Sequence, residues 1–416
     1  MNNNFFTIAR YLRDRGVDAH VFLLGEHEHF KPDADSFTDD YGDFVHEANW
    51  IKAGFFSIDP NSIKTIQSDM AGFDLIIACG YAPFFLHRAG LEIDIFVPYG
   101  SDFYEVPFYF YGNKLFYLLN KIDVIYRNMT GQDFVMKSLR KIGLSDLAGR
   151  YRSYKLSYHQ ASAIQKSKHI FCICQNDHWK HLVDKIGTHD LMRPVTLPVV
   201  YLSEYDNKYI EQHTSNLVSY NFLKQIRQQN DLVVFHHSRH AWKNSPNDLT
   251  QKRNDILIKG FAEFVHSNPQ VKSVLVTAEY GPDVQTSKDL IEELGISDRV
   301  VWLPVMQRKE IMACLTLADV GAVDFGLSWV TGGVLFEFMT MKLPIMQLRH
   351  DEMYDGLYDE LYPIMASNSE SEIKASLEDY MRRPQYYKDM GVKSHDWFVK
   401  YVIEEPLSNY MRIINS

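Results

Sequence analysis

The sequence predicts an α/β chain of two doubly wound, Rossmann-like domains of parallel sheet that face each other across a cleft. Three observations predict it. Apolar runs of strand length alternate with amphipathic helical patterns through most of the 416 residues. Those runs are continuously apolar rather than alternating, as in parallel strands covered on both faces. The chain is also too long for one ordinary core, so two domains of roughly 150–200 residues are expected. The rhythm breaks between 190 and 230, in RPVTLPVVYLSEYDNK. That break divides the chain into a first domain over 1–200 and a second over 201–395, with a final helix over 396–416 packing back on the first. No tandem repeat or low-complexity segment interrupts the pattern.

The first element is a helix. Phe5, Ile8, Ala9 and Leu12 recur at the spacing of one buried helical face. Asn4 is placed to cap its first turn, and Gly16 stands where a helix ends in a left-handed residue. AHVFLL (19–24) then reads as a buried strand, so helix and strand form the second half of a βαβ unit whose first strand is not in the sequence. The central slot of the first sheet is therefore expected to be empty or irregularly filled. Further strands are expected at DLIIAC (74–79), IDIFVPYG (93–100) and HIFCICQN (169–176). In the second half they are DLVVFHHS (231–238), KSVLVTAE (272–279), DRVVWLPV (298–305), DVGAVDFG (319–326) and LPIMQL (343–348). The stretch 104–165 departs from the rhythm, first rich in Tyr and Phe and then in Lys and Arg. It reads either as an irregular helical subdomain or as an acceptor-recognition or membrane-facing surface.

Composition narrows the function classes. With 46% hydrophobic and 14% aromatic residues the chain has ample core and is not a disordered segment. A formal charge of −10 argues against nucleic acid as the main partner. Cys79, Cys172, Cys174 and Cys314 lie in or beside apolar runs and read as buried thiols of a reducing cytoplasm. Alternation along HIFCICQN would put Cys172 and Cys174 on one face. The N-terminus has no signal-peptide pattern, and no stretch of about 18 apolar residues is present. The expectation is a cytoplasmic protein that touches a membrane surface peripherally at most.

Two constellations in the second half carry chemistry. In DFGLSWVTGGVLFEFMTMKLPIM (324–346), a strand ends near Asp324, Thr331-Gly332-Gly333 follows, and a helix from about Val334 carries Glu337. Amides at such a helix start have no intrahelical partner and suit a phosphate, and glycines let it approach closely. Glu337 can accept hydrogen bonds from ribose hydroxyls. Equally, the glycines can simply permit a turn, with Glu337 an acid favoured by the helix dipole. In FHHSRHAWKNSPNDLTQKRNDILIKGFAEF (235–264), a strand ends at His236-His237, a polar loop carries Arg239, and Lys252 precedes a helix. Two cations there can neutralise a diphosphate, or belong to a solvated loop. His236, His237 and His240, and likewise His27 and His29, lack a carboxylate at ligand spacing, so no metal is expected.

Together these residues resemble the nucleotide-sugar domain of the GT-B glycosyltransferases, in particular the large retaining family that includes bacterial polysaccharide and lipid glycosyltransferases. The matching elements are Arg239, Lys252, Tyr280-Gly281-Pro282 and GGVLFEFMTMKLP, in family order over about 230–400. Lys252 is followed by Arg253 where the family has glycine. The resemblance implies that Arg239 and Lys252 contact the donor diphosphate. Gly332 and Gly333 would offer it amides, Glu337 would bind the ribose, and the backbone near Val305 would meet the base. Trp329 occupies the position of a second acid that usually contacts the transferred sugar, so the donor sugar is not implied. In the first half, Tyr99-Gly100-Ser101-Asp102 stands where the family often places His-Gly near the reacting centre. Asp102 would orient donor or acceptor, or cap the segment that follows. In the family a strand and a Gly-rich loop facing the donor precede the first helix, so the resemblance implies that Met1 is an internal methionine, that about ten strand and loop residues precede it, and that Asn2, Asn3 and Asn4 lie beside the cleft.

The implied activity is a retaining, metal-independent hexosyl- or pentosyltransferase. It would move a sugar from a nucleotide diphosphate sugar to a glycan or glycolipid, using no cofactor beyond the donor. Arg239, Lys252 and the helix start would stabilise charge on the leaving diphosphate. No pair of glycosidase-type carboxylates is visible. Two other readings stay open: transfer to modified bases in DNA, and a non-catalytic nucleotide-sugar-binding relative.

Overall fold

A computed structural model describes residues 3–25, 31–50, 60–130, 133–173, 177–244 and 251–416. His27, His29, Asn2 and Cys174 lie outside the described residues. Twelve strands are present among them: β1 (Val21–Leu23), β2 (Val45–Glu47), β3 (Ile77–Ala78), β4 (Ile95–Phe96), β5 (His169–Phe171) and β6 (Met192–Arg193), then β7 (Leu232–His236), β8 (Ser273–Ala278), β9 (Val300–Leu303), β10 (Val320–Ala322), β11 (Ile345–Gln347) and β12 (Met365–Ala366). All pairings are parallel.

The second half is a six-stranded sheet in the order β12-β11-β10-β7-β8-β9. Successive strands run outward from β7 on one side and from β10 on the other, the doubly wound topology. The sequence pattern explains it. Alternate residues of β7 enter different cores: Val233 and Phe235 join one, Leu232 and Val234 the other. Both faces are buried, so Leu232 through Phe235 are apolar without a break. One face is covered by the helices Asn254–Ser267 and Glu370–Arg382, through Leu257, Phe261, Ile373 and Leu377. The other is covered by Gly333–Thr340 and Arg308–Leu315. At roughly 1.5–3 kcal/mol per fully buried aliphatic or Phe side chain, these two faces dominate the stability of this half.

The first half carries two sheet pieces, β1-β2 and β3-β4-β5-β6. No strand among the described residues pairs with both. The opening helix runs Asn4–Asp14 and buries Phe6, Ile8, Ala9 and Leu12, with Phe5 half-buried, and Gly16 follows at φ +81°. Its cap position is Asn3, not Asn4, and the Asn3 side chain makes no capping bond; its Nδ2 donates to the Lys31 carbonyl at 2.6 Å. β5 stops at Phe171, so the expected alternation through Cys172 does not continue as strand; Tyr104 Oη and Cys172 Sγ lie 3.2 Å apart. The stretch after β4 contains the helices Lys114–Thr130, Val135–Lys141 and Ser145–Gln165.

The halves share a core. Ile8, Leu12, Ile95 and Phe171 pack in one cluster with Val233, Phe235, Trp397, Phe398 and Leu407. The last helix, Glu405–Ile414, sets the Tyr410 ring 4.9 Å from that of Phe171, and Arg15 pairs with Glu404 at 2.9 Å. No described helix is long and apolar enough to cross a membrane.

Candidate functional site

In an open parallel sheet, ligands bind beyond the carboxyl ends of the strands where the strand order reverses. Here that point lies between β7 and β10, and the loops leaving them are tightly built. His236, the last residue of β7, is bonded to the Ala322 carbonyl at 2.9 Å and to Asn254 Nδ2 at 2.8 Å. Burial pushes its imidazole down to about 3, with the neighbouring His240 adding to the shift, so it is neutral. Ser238 Oγ donates to the Val323 carbonyl at 2.7 Å. Asn254 takes the Ala241 amide at 3.0 Å and donates to the Arg239 carbonyl at 3.3 Å. The half-buried Arg239 therefore rises from a fixed backbone.

Asp283 accepts the amides of Trp242 and Lys243 at 2.7 and 2.8 Å. Burial alone would raise this carboxyl, but those amides and that of Asn244 hold it below its usual range. Gly281 has φ +113°, and a Cβ there would collide with the backbone of His240. This explains the Gly-Pro after β8: it lets the β8 loop press on the β7 loop. Gly281→Ala is expected to lower stability by about 1–3 kcal/mol, through forced left-handed backbone and displacement of the 240–244 loop. A urea midpoint measures it, and an unchanged midpoint would mean the loops are not pressed together.

Lys252 Nζ lies 2.5 Å from Asp324 Oδ2, and the Asp324 side chain is only 6% exposed. Burial raises the Asp324 carboxyl, against the lowering pull of Lys252 and of the Gly326 amide. A Cβ on Gly326 would collide with the Gln251 carbonyl, so this glycine too marks a close approach. Lys252 is thus oriented by an acid that the sequence reading did not assign to it.

Glu337 sits in the helix Gly333–Thr340 and is buried. Its Oε2 is 2.6 Å from His237 Nε2, and its Oε1 accepts from Arg308 Nε at 2.8 Å. Arg308 also donates to Asp35 Oδ2 at 3.1 Å and to the Val199 carbonyl at 2.9 Å. Burial would raise Glu337, yet the His237 bond and the Arg308 charge hold it below the ordinary carboxylate range. Burial works against the Arg308 charge, but Asp35 and Glu337 together raise its pKa. Asp35 itself is raised by burial, against the pull of Arg308 and Arg10. Glu337 is thus the end of a buried chain, His237–Glu337–Arg308–Asp35, that crosses to the first half. Arg308 and Asp35 had no signal of their own, and His237 showed only as a strand end and as one of a histidine cluster without a carboxylate at ligand spacing.

Gly332 precedes that helix with extended backbone (φ 172°) that any residue adopts. A Cβ there would meet no atom within 4 Å, and the residue is exposed. Neither conformation nor packing requires this glycine. Thr331 and Trp329 are half-buried beside it, and the Trp329 carbonyl accepts from Gln347 Nε2 at 3.2 Å. Val305, past the end of β9, is 46% exposed, and Tyr280, past β8, is 51% exposed.

Asp102 is held by loops of the first half. It is 1% exposed, and its carboxylate accepts the amides of Gly80 (2.9 Å), Tyr99 (3.1 Å) and Gly100 (3.0 Å). Gly100 has φ +145°, a conformation open to glycine. Burial pushes the Asp102 carboxyl up to about 7 despite those amides. All these partners lie in the first half, where Asp102 joins the loops after β3 and β4. These bonds do not cap the segment that follows: Asp102 lies inside the helix Ser101–Tyr104, whose cap position is Gly100 and has no side-chain capping bond. No group of three or more His, Cys, Asp or Glu among the described residues is arranged to hold a metal ion.

No protein-family model matches the chain, and no curated protein matches its sequence. Solved structures do. HepE from Anabaena, in complex with UDP and glucose, superposes with a TM-score of 0.58 over 99% of this chain and 95% of that one, at 14% identity. Sucrose-phosphate synthase from Thermosynechococcus elongatus gives 0.55 over 98% and 90%, at 10% identity. UDP-GlcNAc 2-epimerase from Methanocaldococcus jannaschii gives 0.51 over 99% and 96%, at 10% identity. The fold is GT-B: two Rossmann-like domains of parallel sheet.

Proposed function

We propose that the chain is a glycosyltransferase that moves a hexosyl or pentosyl group, with retention, from a nucleotide diphosphate sugar to a glycan or glycolipid. Gly332 carries the reading. It is a glycine with no conformational or packing need, open to solvent, at the start of a helix and at the switch point of the sheet. Close approach of a ligand to the backbone supplies the missing reason. The diphosphate would sit over Gly332, Gly333 and Thr331, with Arg239 and Lys252 as counter-charges. The ribose would meet Glu337, whose oxygens each have one described donor and hence a lone pair left. The base would lie near Val305, and Trp329 beside the transferred sugar. Gly100 would line the facing side of the cleft, with Asn3 and Asp102 behind the loops. The HepE structure holds UDP and glucose on this fold, which supports the donor class. The 2-epimerase shares the fold, so fold alone does not decide the chemistry.

On this reading the acceptor's proton passes to the leaving phosphate oxygen, so no enzymic base and no divalent metal are required. The protein would work in the cytoplasm, peripherally at the membrane. Tyr99 and Trp329, at positions where the family has functional residues, favour a second reading in which the fold binds a nucleotide sugar without turnover.

A panel of nucleotide sugars in thermal unfolding tests the donor site. The matching donor at 100 times its Kd is expected to add about 2.7 kcal/mol. Gly332→Val is expected to leave the free protein's midpoint unchanged and to abolish the donor-induced shift. A Gly332→Val protein that still responds fully would remove the proposed diphosphate position. Release of nucleotide diphosphate with acceptor present separates the enzyme from the non-catalytic reading.

A further inference from the structure

The helix Lys114–Thr130 in the first half is built inside out. Its buried positions include Asn120 and Asp123 beside Phe116. Asp123 accepts the amides of Phe134 (2.9 Å) and Val135 (2.7 Å), the Tyr151 hydroxyl (2.8 Å) and Lys155 Nζ (3.2 Å). Leu115, Leu118, Ile122, Ile125 and Met129 recur every three and four residues, a single stripe along about 21 Å of helix. Each of the five is 43–71% exposed. A polar network anchors the helix to the protein, and its apolar stripe faces outward.

We propose that this face docks on an anionic lipid bilayer, with the helix lying in the interface and its stripe among the acyl chains. Charge chooses the occupant. Among the described residues from 114 to 141, Lys114, Lys121, Lys137, Arg140 and Lys141 are all exposed. Both acids in that span point inward: Asp123 to Lys155, and Asp133 to Arg88, Arg127 and Lys155. The exposed charge there is wholly positive, on a chain whose net charge is −10. A second copy docking through the same stripe would bring like charges together with no acid to pair them, whereas an anionic lipid surface pairs them all. Aromatics flank the stripe, as at membrane interfaces. Tyr117 is 50% exposed, Phe110 packs on Phe116 and Phe134 packs on Tyr126. This assignment does not rest on the donor site, and loss of donor binding would leave it standing.

Co-sedimentation of the full chain with vesicles tests it, using phosphatidylcholine alone against vesicles containing one third phosphatidylglycerol. Binding is expected only with phosphatidylglycerol and should weaken as salt rises. Ile122→Glu/Ile125→Glu changes two solvent-facing positions, so the thermal midpoint should hold while vesicle binding falls by about a hundredfold or more. Lys114→Gln/Lys121→Gln should weaken it by about tenfold or more. Wild-type protein that ignores phosphatidylglycerol vesicles, or a double glutamate variant that still binds them fully, overturns the proposal. So does a wild-type dimer in sedimentation velocity that the glutamates dissolve with no vesicle binding, which would assign the face to a second copy.

Discussion

Arg308→Ala is expected to lower unfolding stability by about 3–5 kcal/mol, the scale for removing one partner from a buried ion pair. The guanidinium lies between two carboxylates that have almost no water: the Asp35 and Glu337 side chains are 3% and 8% exposed. Deleting it leaves His237 on Glu337, which does not replace a full charge, and takes from Asp35 the cation that lowers it most. The effect should depend on pH with a definite sign. In the variant both stranded acids would have folded pKa values above their unfolded ones. Their penalty is then full at neutral pH and fades as pH falls through the folded pKa values toward the unfolded ones near 4. Urea midpoints at pH 7 and pH 5 measure this, with an unchanged m-value as the control that only stability moved. A deficit under about 1 kcal/mol, or one that grows on acidification, would mean that water reaches the network. Asp35→Asn combined with Arg308→Ala should recover part of the loss, since one stranded charge is then gone.

The same network shows why part of the site could not be read from the chain. Arg308 and Asp35 are 273 residues apart, and their meeting depends on how two domains pack. No spacing rule reports such a pair, and neither residue stands in a pattern. Glu337 was visible because helix start, glycines and acid lie in one local run. Its bonds to His237 and Arg308 were not, so a residue read as a ligand group proves also to be a tie between the two halves. The loop with Arg239 and Lys252 was legible for the local reason too: Arg239 comes just past an apolar strand and Lys252 just before the next helix, so both belong to the loop at that strand's carboxyl end. Asp324 follows a strand as well, but its bond to Lys252 spans 72 residues.

Strands divided along similar lines. β7 and β8 were plain because burial on both faces demands continuous apolar sequence. β2, β6 and β12 escaped because Val45-His46-Glu47, Met192-Arg193 and Met365-Ala366 lie in no apolar run of strand length, whereas the equally short β3 and β4 lie within DLIIAC and IDIFVPYG. In 104–165, composition suggested either a helical subdomain or a surface. It could not show that Asp123 and Asn120 point inward, because that orientation comes from Tyr151 and Lys155 on another helix.

Arg239→Ala is expected to lower the rate of sugar transfer by about 10²–10³, the scale for removing one preorganised stabiliser of developing charge. If the proposed diphosphate position is right, charge on the departing phosphate is greater in the transition state than in the bound donor. Donor affinity should therefore fall less than turnover. Lys252 needs a more careful variant. Its Nζ is 2.5 Å from Asp324, whose side chain is 6% exposed, so Lys252→Ala alone strands a buried acid and mixes lost stability with lost catalysis. Lys252→Ala/Asp324→Asn removes both charges together. It should fold with a near-normal midpoint and still lose about a hundredfold in turnover. Adding Arg239→Ala to that pair should cost less than the product of the separate losses, because both cations act on one diphosphate. Chelation of divalent metals should change little, since these side chains and the amides at Gly332 and Gly333 would hold the charge. Rates and donor affinities must be measured separately, by single-turnover transfer and by calorimetry. Full turnover without either cation, or a strict metal requirement in the wild type, would place the departing charge elsewhere and overturn this mechanism.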